Sequence, residues 1–260
     1  MITIDLNADL GESFGSFSIG SDADLIPLLT SANVACGFHG GDPRVMDRTV
    51  RRCLEAGVAV GAHPSFPDLV GFGRRALDVS AAEAETDVLY QVAALAGFCR
   101  RHGVAMQHVK PHGALYNEAN RRPDLARGIA AGIAAFDTGL LLVCQPGTEL
   151  ARAGEAAGLT VAHEGFADRA YNAGGTLVSR AVEGSVHDDP DRAAEQALRM
   201  VTEGKVVALD GTVVDVQIDT LCVHGDNPEA VRLVALLRER LAAAGVSIRP
   251  LREVMAARLG

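Results

Sequence analysis

The 260-residue chain is poor in lysine: of 24 basic residues only Lys110 and Lys205 are lysines, the rest being arginines. It also lacks any excess of positive charge, with a net charge of -9 and an isoelectric point near 5.3. Its arginines are dispersed rather than run together, so there is no general electrostatic reason to approach nucleic acid or an anionic membrane surface. No apolar run has the length that a membrane helix needs, and the opening MITIDLNADLGE enters an alternating pattern without a basic or apolar leader segment. A soluble, cytoplasmic protein acting on small molecules is the expectation. The five cysteines, Cys36, Cys53, Cys99, Cys144 and Cys222, are an odd number without C-x-x-C spacing, and they read as reduced residues of an apolar core. Neither G-x-x-x-x-G-K-[ST] nor G-x-G-x-x-G is present, so no standard phosphate-cradling loop can be named.

What the chain does have is a rhythm. Short apolar runs alternate with longer amphipathic or alanine-rich segments, the pattern of parallel strands joined by crossover helices. Strands are expected near Thr3 to Leu6, Ser31 to Cys36, Ala59 to Ala62, Ala105 to Val109, Leu140 to Val143, Thr160 to His163 and Leu221 to Val223. Helices are expected at Asp22 to Leu29, Pro43 to Ala56, Ala81 to His102, Pro123 to Ala134, Gly147 to Ala157, Pro190 to Glu203 and Pro228 to Ala244. Asp42-Pro43 and Asn227-Pro228 set a capping residue before a proline at the first helical position, and AGV or HGV segments set glycine just past three helix ends. A weak eighth unit lies around Val246 to Ile248 and Val254 to Leu259. The whole chain, residues 1–260, therefore reads as one α/β domain, a closed or nearly closed TIM-like β/α barrel of seven to eight strands; a doubly wound open sheet is the alternative. Asp210-Gly211, between β-branched runs, predicts a hairpin excursion near residues 205–217.

Strand after strand ends in ionisable residues. In ITIDLNADLGE the period of two puts Asp5, Asn7 and Asp9 on one side, with Glu12 beyond them. Later strands run into His39 and Asp42, into His63 and Asp68, into Glu164, Asp168 and Arg169, and into His224 and Asp226. In an α/β protein these positions lie at the carboxyl ends of the strands, where such folds build their sites. Any one histidine there is more often structural than chemical; convergence of five is a stronger signal. In QHVKPHGALYN, His108 and His112 have helical spacing, but Pro111 and the missing glutamate rule out a helical H-E-x-x-H zinc motif. In an extended strand His108, Lys110 and His112 share one face. A lysine in so arginine-rich a chain suggests a need for a compact charge or for a removable proton. Asp9 or Asp5 with His39 and His63 would make a carboxylate and two-histidine metal set, although the spacing is not diagnostic. GFGRR, ending in Arg74 and Arg75, could present guanidinium groups to a carboxylate or phosphate, or be a solvated loop.

DLNADLGESFG, SANVACGFHGGDP, GAHPSFPDLVGFGRR, HVKPHGALYN, EGFADRAY and VHGDNPEAV resemble, in order and spacing, the LamB/YcsF family, with which the A subunit of the bacterial ATP-dependent 5-oxoprolinase is associated. The resemblance runs from Ile4 to about Gly245. It implies a barrel related to the glycoside hydrolase and deacetylase group, opening of 5-oxoproline to L-glutamate coupled to ATP hydrolysis, magnesium accompanying the ATP, and the B and C subunits of 5-oxoprolinase as partners; homo-oligomerisation stays open. Within that frame Asp9 or Glu12 is the expected general base, and Lys110, with His108 and His112, the stabiliser of developing negative charge. His39 and His63 would orient substrate or hold a divalent ion, Arg75 and Arg169 would meet the substrate carboxylate, and Asn7, Glu164, His224 and Asp226 would line the binding site. A self-sufficient metal-dependent amide hydrolase or deacetylase, and a non-catalytic component that holds 5-oxoproline, are the competing readings.

Overall fold

Asp5, Asn7 and Asp9 turn into the centre of a barrel while Ile4, Leu6, Ala8 and Leu10 turn outward into the apolar core, as the alternation along β1 (Thr3–Leu10) requires. The computed structural model describes residues 2–224 and 229–259, the side chain of Leu259 excepted. After β1 come α1 (Asp22–Leu25), continued by one 3₁₀ turn, then β2 (Ser31–Ala35), α2 (Pro43–Ala56), β3 (Ala59–His63), α3 (Ala81–His102) and β4 (Met106–Val109). The middle of the chain supplies α4 (Gly113–Ala119), α5 (Pro123–Phe136), β5 (Leu141–Cys144), α6 (Glu149–Ala156) and β6 (Thr160–Phe166). The last part holds α7 (Pro190–Glu203), the antiparallel pair β7 (Lys205–Val207) and β8 (Val213–Asp215), β9 (Thr220–Val223), α8 (Ala230–Ala243), β10 (Ser247–Ile248) and α9 (Leu251–Leu259).

The strands β1 to β6 and β9 pair in parallel, each with the next, and β9 returns to β1 through Asp5↔Thr220 to Ala8↔Val223, closing a seven-stranded barrel among the described residues. The eighth unit is real but does not enter the wall. β10 pairs with β1 only at Thr3 and Ile4, before the pairing of β1 with β9 begins at Asp5, so it flanks the floor of the barrel. β1 also runs four residues beyond its expected end at Leu6, because Asn7 to Leu10 pair with β2 and polar inward residues do not interrupt a strand whose outward residues remain apolar. The segment after Pro111 forms the short helix α4, which apolar periodicity over so few residues did not predict.

Local chemistry explains the helices that position the site. Asp42 caps α2, its carboxylate accepting from the N–H groups of Arg44 and Val45 at 2.8 and 2.9 Å, with Pro43 first in the helix. Ser80 and Glu83 close a reciprocal capping box on α3. Helices α3 and α5 pack backbone to backbone: a Cβ at Gly128 would lie 2.3 Å from the carbonyl oxygen of Ala81, and one at Gly132 2.5 Å from that of Glu85. Only glycine permits this approach, which seats both helices on the barrel wall. The apolar side chains between strands and helices, such as Leu6, Val60, Leu95, Ile129 and Leu237, are fully buried, each stabilising the fold by about 1.5–3 kcal/mol relative to exposure. The wall is thus held from outside, which leaves the barrel interior free to carry polar groups. No described helix is long and apolar enough to cross a membrane.

Candidate active site

Parallel pairing in register brings the inward residues of neighbouring strands onto common rows. Asp9 pairs with Asn33, Asn33 with Gly61 and Gly61 with His108, so four strands contribute to one row of the interior. Above it, at the strand ends, stand Glu12, His39, His63, Lys110 and His112, all buried.

Lys110 occupies the axis. Its Nζ lies 2.9 Å from Asp9 Oδ1, 2.8 Å from Glu164 Oε1, 3.1 Å from Cys222 Sγ and 3.4 Å from Asn7 Oδ1, and 5.4 Å from the centre of the Phe166 ring. Burial opposes its charge, but the carboxylates of Asp9 and Glu164 outweigh burial and hold the amine well above its ordinary pKa. Lys110 is therefore a fixed ammonium, and of the two reasons a lysine could be needed here the compact charge is the operative one. Asp9 is the mirror case: burial raises its pKa, and His63 and Lys110 overcome that and hold it well below the carboxylate range.

The imidazoles form a compact array. The rings of His39 and His112 stack at 3.7 Å, and His63 meets His112 edge-on. His63 Nδ1 donates to the Lys110 carbonyl at 2.7 Å, and His112 Nε2 donates to the Phe72 carbonyl at 2.9 Å. The remaining nitrogens, His63 Nε2 and His112 Nδ1, face each other at 3.0 Å. Two lone pairs at that separation repel, so the contact calls for a proton between them or a cation that both ligate. His39 Nε2 lies 3.1 Å from Glu12 Oε1, while its Nδ1 is buried with no hydrogen-bond partner. Burial and the neighbouring histidines push His39 and His112 well below the ordinary imidazole pKa, which keeps both neutral and able to ligate.

One ligand atom from each of Glu12, His39, His63 and His112 falls within 4.8 Å of the others, a three-nitrogen and one-oxygen set suited to zinc or a similar divalent ion. The grouping around His39 and His63 thus takes in Glu12 and His112 in place of Asp9. Asp9 lies 3.3 Å from His63 Nε2 as an outer partner and groups instead with Cys222 and His224.

Beneath this level the interior is a closed hydrogen-bond network. Asn33 Nδ2 donates to Asn7 Oδ1 at 2.7 Å and to Asp9 Oδ1 at 2.8 Å, and Asn33 Oδ1 accepts from His108 Nε2 at 2.7 Å. Burial, with help from the charge of Lys110, pushes His108 down to about 3, so it is neutral. On the floor, Asp5 accepts from Ser31, Thr30 and Thr220; burial outweighs these bonds and raises its pKa to about 6. Asn7 Nδ2 donates to Thr220 Oγ1 at 2.6 Å and so joins floor to site.

The other sequence candidates lie around the mouth. His224 stacks on Phe166, with Nδ1 2.9 Å from Asp168 Oδ1. Arg75 grips the buried Asp68, whose carboxylate also accepts from the Gly71 N–H, so this guanidinium shapes the loop that carries Phe72. Phe72 holds a left-handed backbone with φ of 55°, a strained conformation for a bulky side chain, and its ring meets both His39 and His112 edge-on while Arg74 lies 4.9 Å above it. Arg169 is buried and donates to the Ser185 and Val178 carbonyls; burial and the charges of Arg180 and Arg74 lower it to about 10. Asp226 lies outside the described residues.

Two residues escaped the sequence reading. Cys222, read as one of five core cysteines, points into the barrel against Lys110. Asn33 lies in SANVA on the same alternation that marked Asp9, and its register with Asp9 was the missing signal.

The profile of the LamB/YcsF family matches residues 4–256. The 5-oxoprolinase A subunit of Symbiobacterium thermophilum is 56% identical over 245 residues, 94% of each chain. That of Pyrococcus horikoshii is 50% identical over 250 residues, covering 96% of this chain and 98% of the relative. The crystal structure of the lactam utilization protein from Thermus thermophilus superposes with a TM-score of 0.91 at 51% identity, over 96% of this chain and all of that one. A T48 deacetylase in complex with substrate shares the fold alone, at a TM-score of 0.52 and 15% identity. With nearly its full length matched by the family profile and by relatives half identical to it, this chain is a member of the LamB/YcsF family.

Proposed function

We propose that the chain is the A subunit of an ATP-dependent 5-oxoprolinase, acting with the B and C subunits to open 5-oxoproline to L-glutamate. The observation that carries the reading is the identity of about half of all residues, over nearly the full length of both chains, to proteins named as the A subunit of 5-oxoprolinase. The interior chemistry supports it: a buried ammonium between two carboxylates beside neutral imidazoles can stabilise negative charge and handle protons out of contact with bulk water.

A lactam is a stabilised amide that water attacks slowly. Transfer of the terminal phosphoryl group of ATP to the lactam oxygen breaks the bond to ADP and makes the ring carbon electrophilic. One water adds to that carbon and the C–N bond breaks, the nitrogen taking a proton; a second water then displaces phosphate from the acyl phosphate. ATP is a co-substrate and brings magnesium with it. Glu12, beside His39 and His112, is the better-placed general base of the two carboxylates, because Asp9 is held ionised by Lys110, Asn33 and His63 and is a weak base. Lys110 stabilises charge developing on the lactam or phosphoryl oxygen. Its hydrogen bonds already go to Asp9, Asn7 and Cys222, with Glu164 in ion-pair contact, so that oxygen takes the place of the weakest acceptor, the Cys222 sulfur. Arg169 and the two arginines whose charges act on it, Arg74 and Arg180, are the candidates to meet a substrate carboxylate.

The second reading, a self-sufficient metal-dependent amide hydrolase, is favoured by Glu12, His39, His63 and His112. A divalent ion there would act as a Lewis acid or lower the pKa of a water. One experiment separates the two: glutamate and ADP are measured from 5-oxoproline with this chain by itself, with the B and C subunits added, and with each pairwise omission, alongside metal analysis of the purified chain. Glutamate from the full set only is the expected result; glutamate from this chain by itself, without ATP, would establish the metal hydrolase instead.

A further inference from the structure

The row Asp9, Asn33, Gly61, His108 holds a hydrogen-bond chain with a fixed direction. It starts at the backbone N–H of Arg252, in the first turn of α9 where helix N–H groups lack intrahelical partners, which donates to Gln107 Oε1 at 3.1 Å. Gln107 Nε2 donates to Ser31 Oγ at 3.1 Å and to His108 Nδ1 at 3.3 Å. Since Nδ1 accepts, the ring proton sits on Nε2, which donates to Asn33 Oδ1 at 2.7 Å. Both Asn33 Nδ2 hydrogens are then free to reach Asn7 and Asp9. Turning any member round would set donor against donor, or acceptor against acceptor, in a buried site, at about 1–3 kcal/mol for each group left unsatisfied. Gly61 makes the reach possible: a Cβ there would lie 2.1 Å from His108 Nε2.

We infer that Asn33 is the positioning residue of Asp9, and that His108 serves Asn33 as a fixed N–H donor rather than acting on substrate as an acid or base. The inference rests on the reading above for the consequence in catalysis, but not for the donor chain itself. Asp9 Oδ1 is shared by Asn33 and Lys110, and Oδ2 faces His63. Without the Asn33 donor the carboxylate can turn about its own torsion toward Lys110, and the ammonium loses the geometry it presents to the reacting oxygen. A displacement of that kind, about 1 Å, is enough for roughly 100-fold in rate.

The test uses the assembled three-component enzyme, with wild type as the control for the function itself. Asn33→Ala is expected to lower kcat about 100-fold with KM changed less than about threefold, because misplacement acts on the reacting geometry rather than on substrate capture. Glutamine can place an N–H near the position of an imidazole Nε2, so His108→Gln is expected to keep kcat within about fivefold of wild type while His108→Leu loses about 100-fold. Equal losses in the two His108 variants would overturn the donor role, and a wild-type kcat in Asn33→Ala would overturn the positioning role. Should the variants fold poorly, ¹⁵N spectra of the wild-type imidazoles decide independently. His108 must show the Nε2–H neutral tautomer, and the Nδ1–H tautomer sinks the inference even if 5-oxoproline proves not to be the substrate.

Discussion

Lys110 Nζ and Asp9 Oδ1 meet at 2.9 Å across the inside of the barrel, both side chains buried, with Glu164 Oε1 2.8 Å from the same ammonium. Removing the lysine leaves Glu164 without compensation and Asp9 with only Asn33 and His63, which in a buried site costs on the order of 3–5 kcal/mol. Lys110→Met is therefore expected both to abolish turnover and to lower the denaturation midpoint measurably. Adding Glu164→Gln to it should recover part of the stability and none of the activity. A Lys110→Met protein as stable as wild type by chemical denaturation would show that the pair is not held as described.

Asp5 gives a pH dependence of definite sign. Its pKa is raised in the folded state to about 6 from the ordinary 3.8, so between about pH 4 and 6 the unfolded chain loses this proton first, and stability falls as pH rises through that window. The shift corresponds to roughly 3 kcal/mol. Asp5→Asn lacks the titration, and the difference in unfolding free energy between wild type and this variant should move by about that amount against wild type from pH 3 to pH 7. A difference that is flat with pH would place the Asp5 pKa at its ordinary value.

Arg180 is exposed, and its charge acts on the buried Arg169. Its replacement by alanine should leave thermal stability within about 0.5 kcal/mol, as surface changes do. KM for 5-oxoproline should rise about tenfold with kcat nearly unchanged, the signature of lost uniform binding to a charged group. An unchanged KM would remove Arg180 from the substrate carboxylate site.

All five cysteines are buried, and burial pushes Cys36 and Cys53 up to about 12 and Cys99 to about 11, with Cys144 and Cys222 raised as well. The thiolate is the reactive form. Iodoacetamide should label none of them in the native protein and all of them after unfolding, by mass spectrometry. Native labelling of Cys222 would mean that the barrel mouth opens to solvent far enough to reach Lys110.

The alternation in ITIDLNADLGE and the helix punctuation at Asp42-Pro43 and Ser80 are local properties, and the face of β1, the ends of α2 and α3 and the order of strand and helix followed from them. The convergence of His39, His63, Lys110 and His112 was legible too, because the strands of a parallel barrel all end on one side. Closure with seven strands was not: it rests on β9 pairing with Asp5 to Ala8 of β1 while β10 reaches only Thr3 and Ile4, a matter of cross-strand pairing. Nor was the parting of His108 from His112, which share a face in an extended strand. β4 ends at Val109, and Pro111 and the left-handed Gly113 carry His112 to His63 and Phe72, while His108 stays within the wall and reaches over Gly61 to Asn33. Composition and spacing by themselves determined which residues could carry chemistry in this protein. The tertiary structure alone decided which nitrogen faces which oxygen, because register between strands far apart in sequence, and burial that sets which groups are charged, are properties of the closed barrel and not of any segment of it.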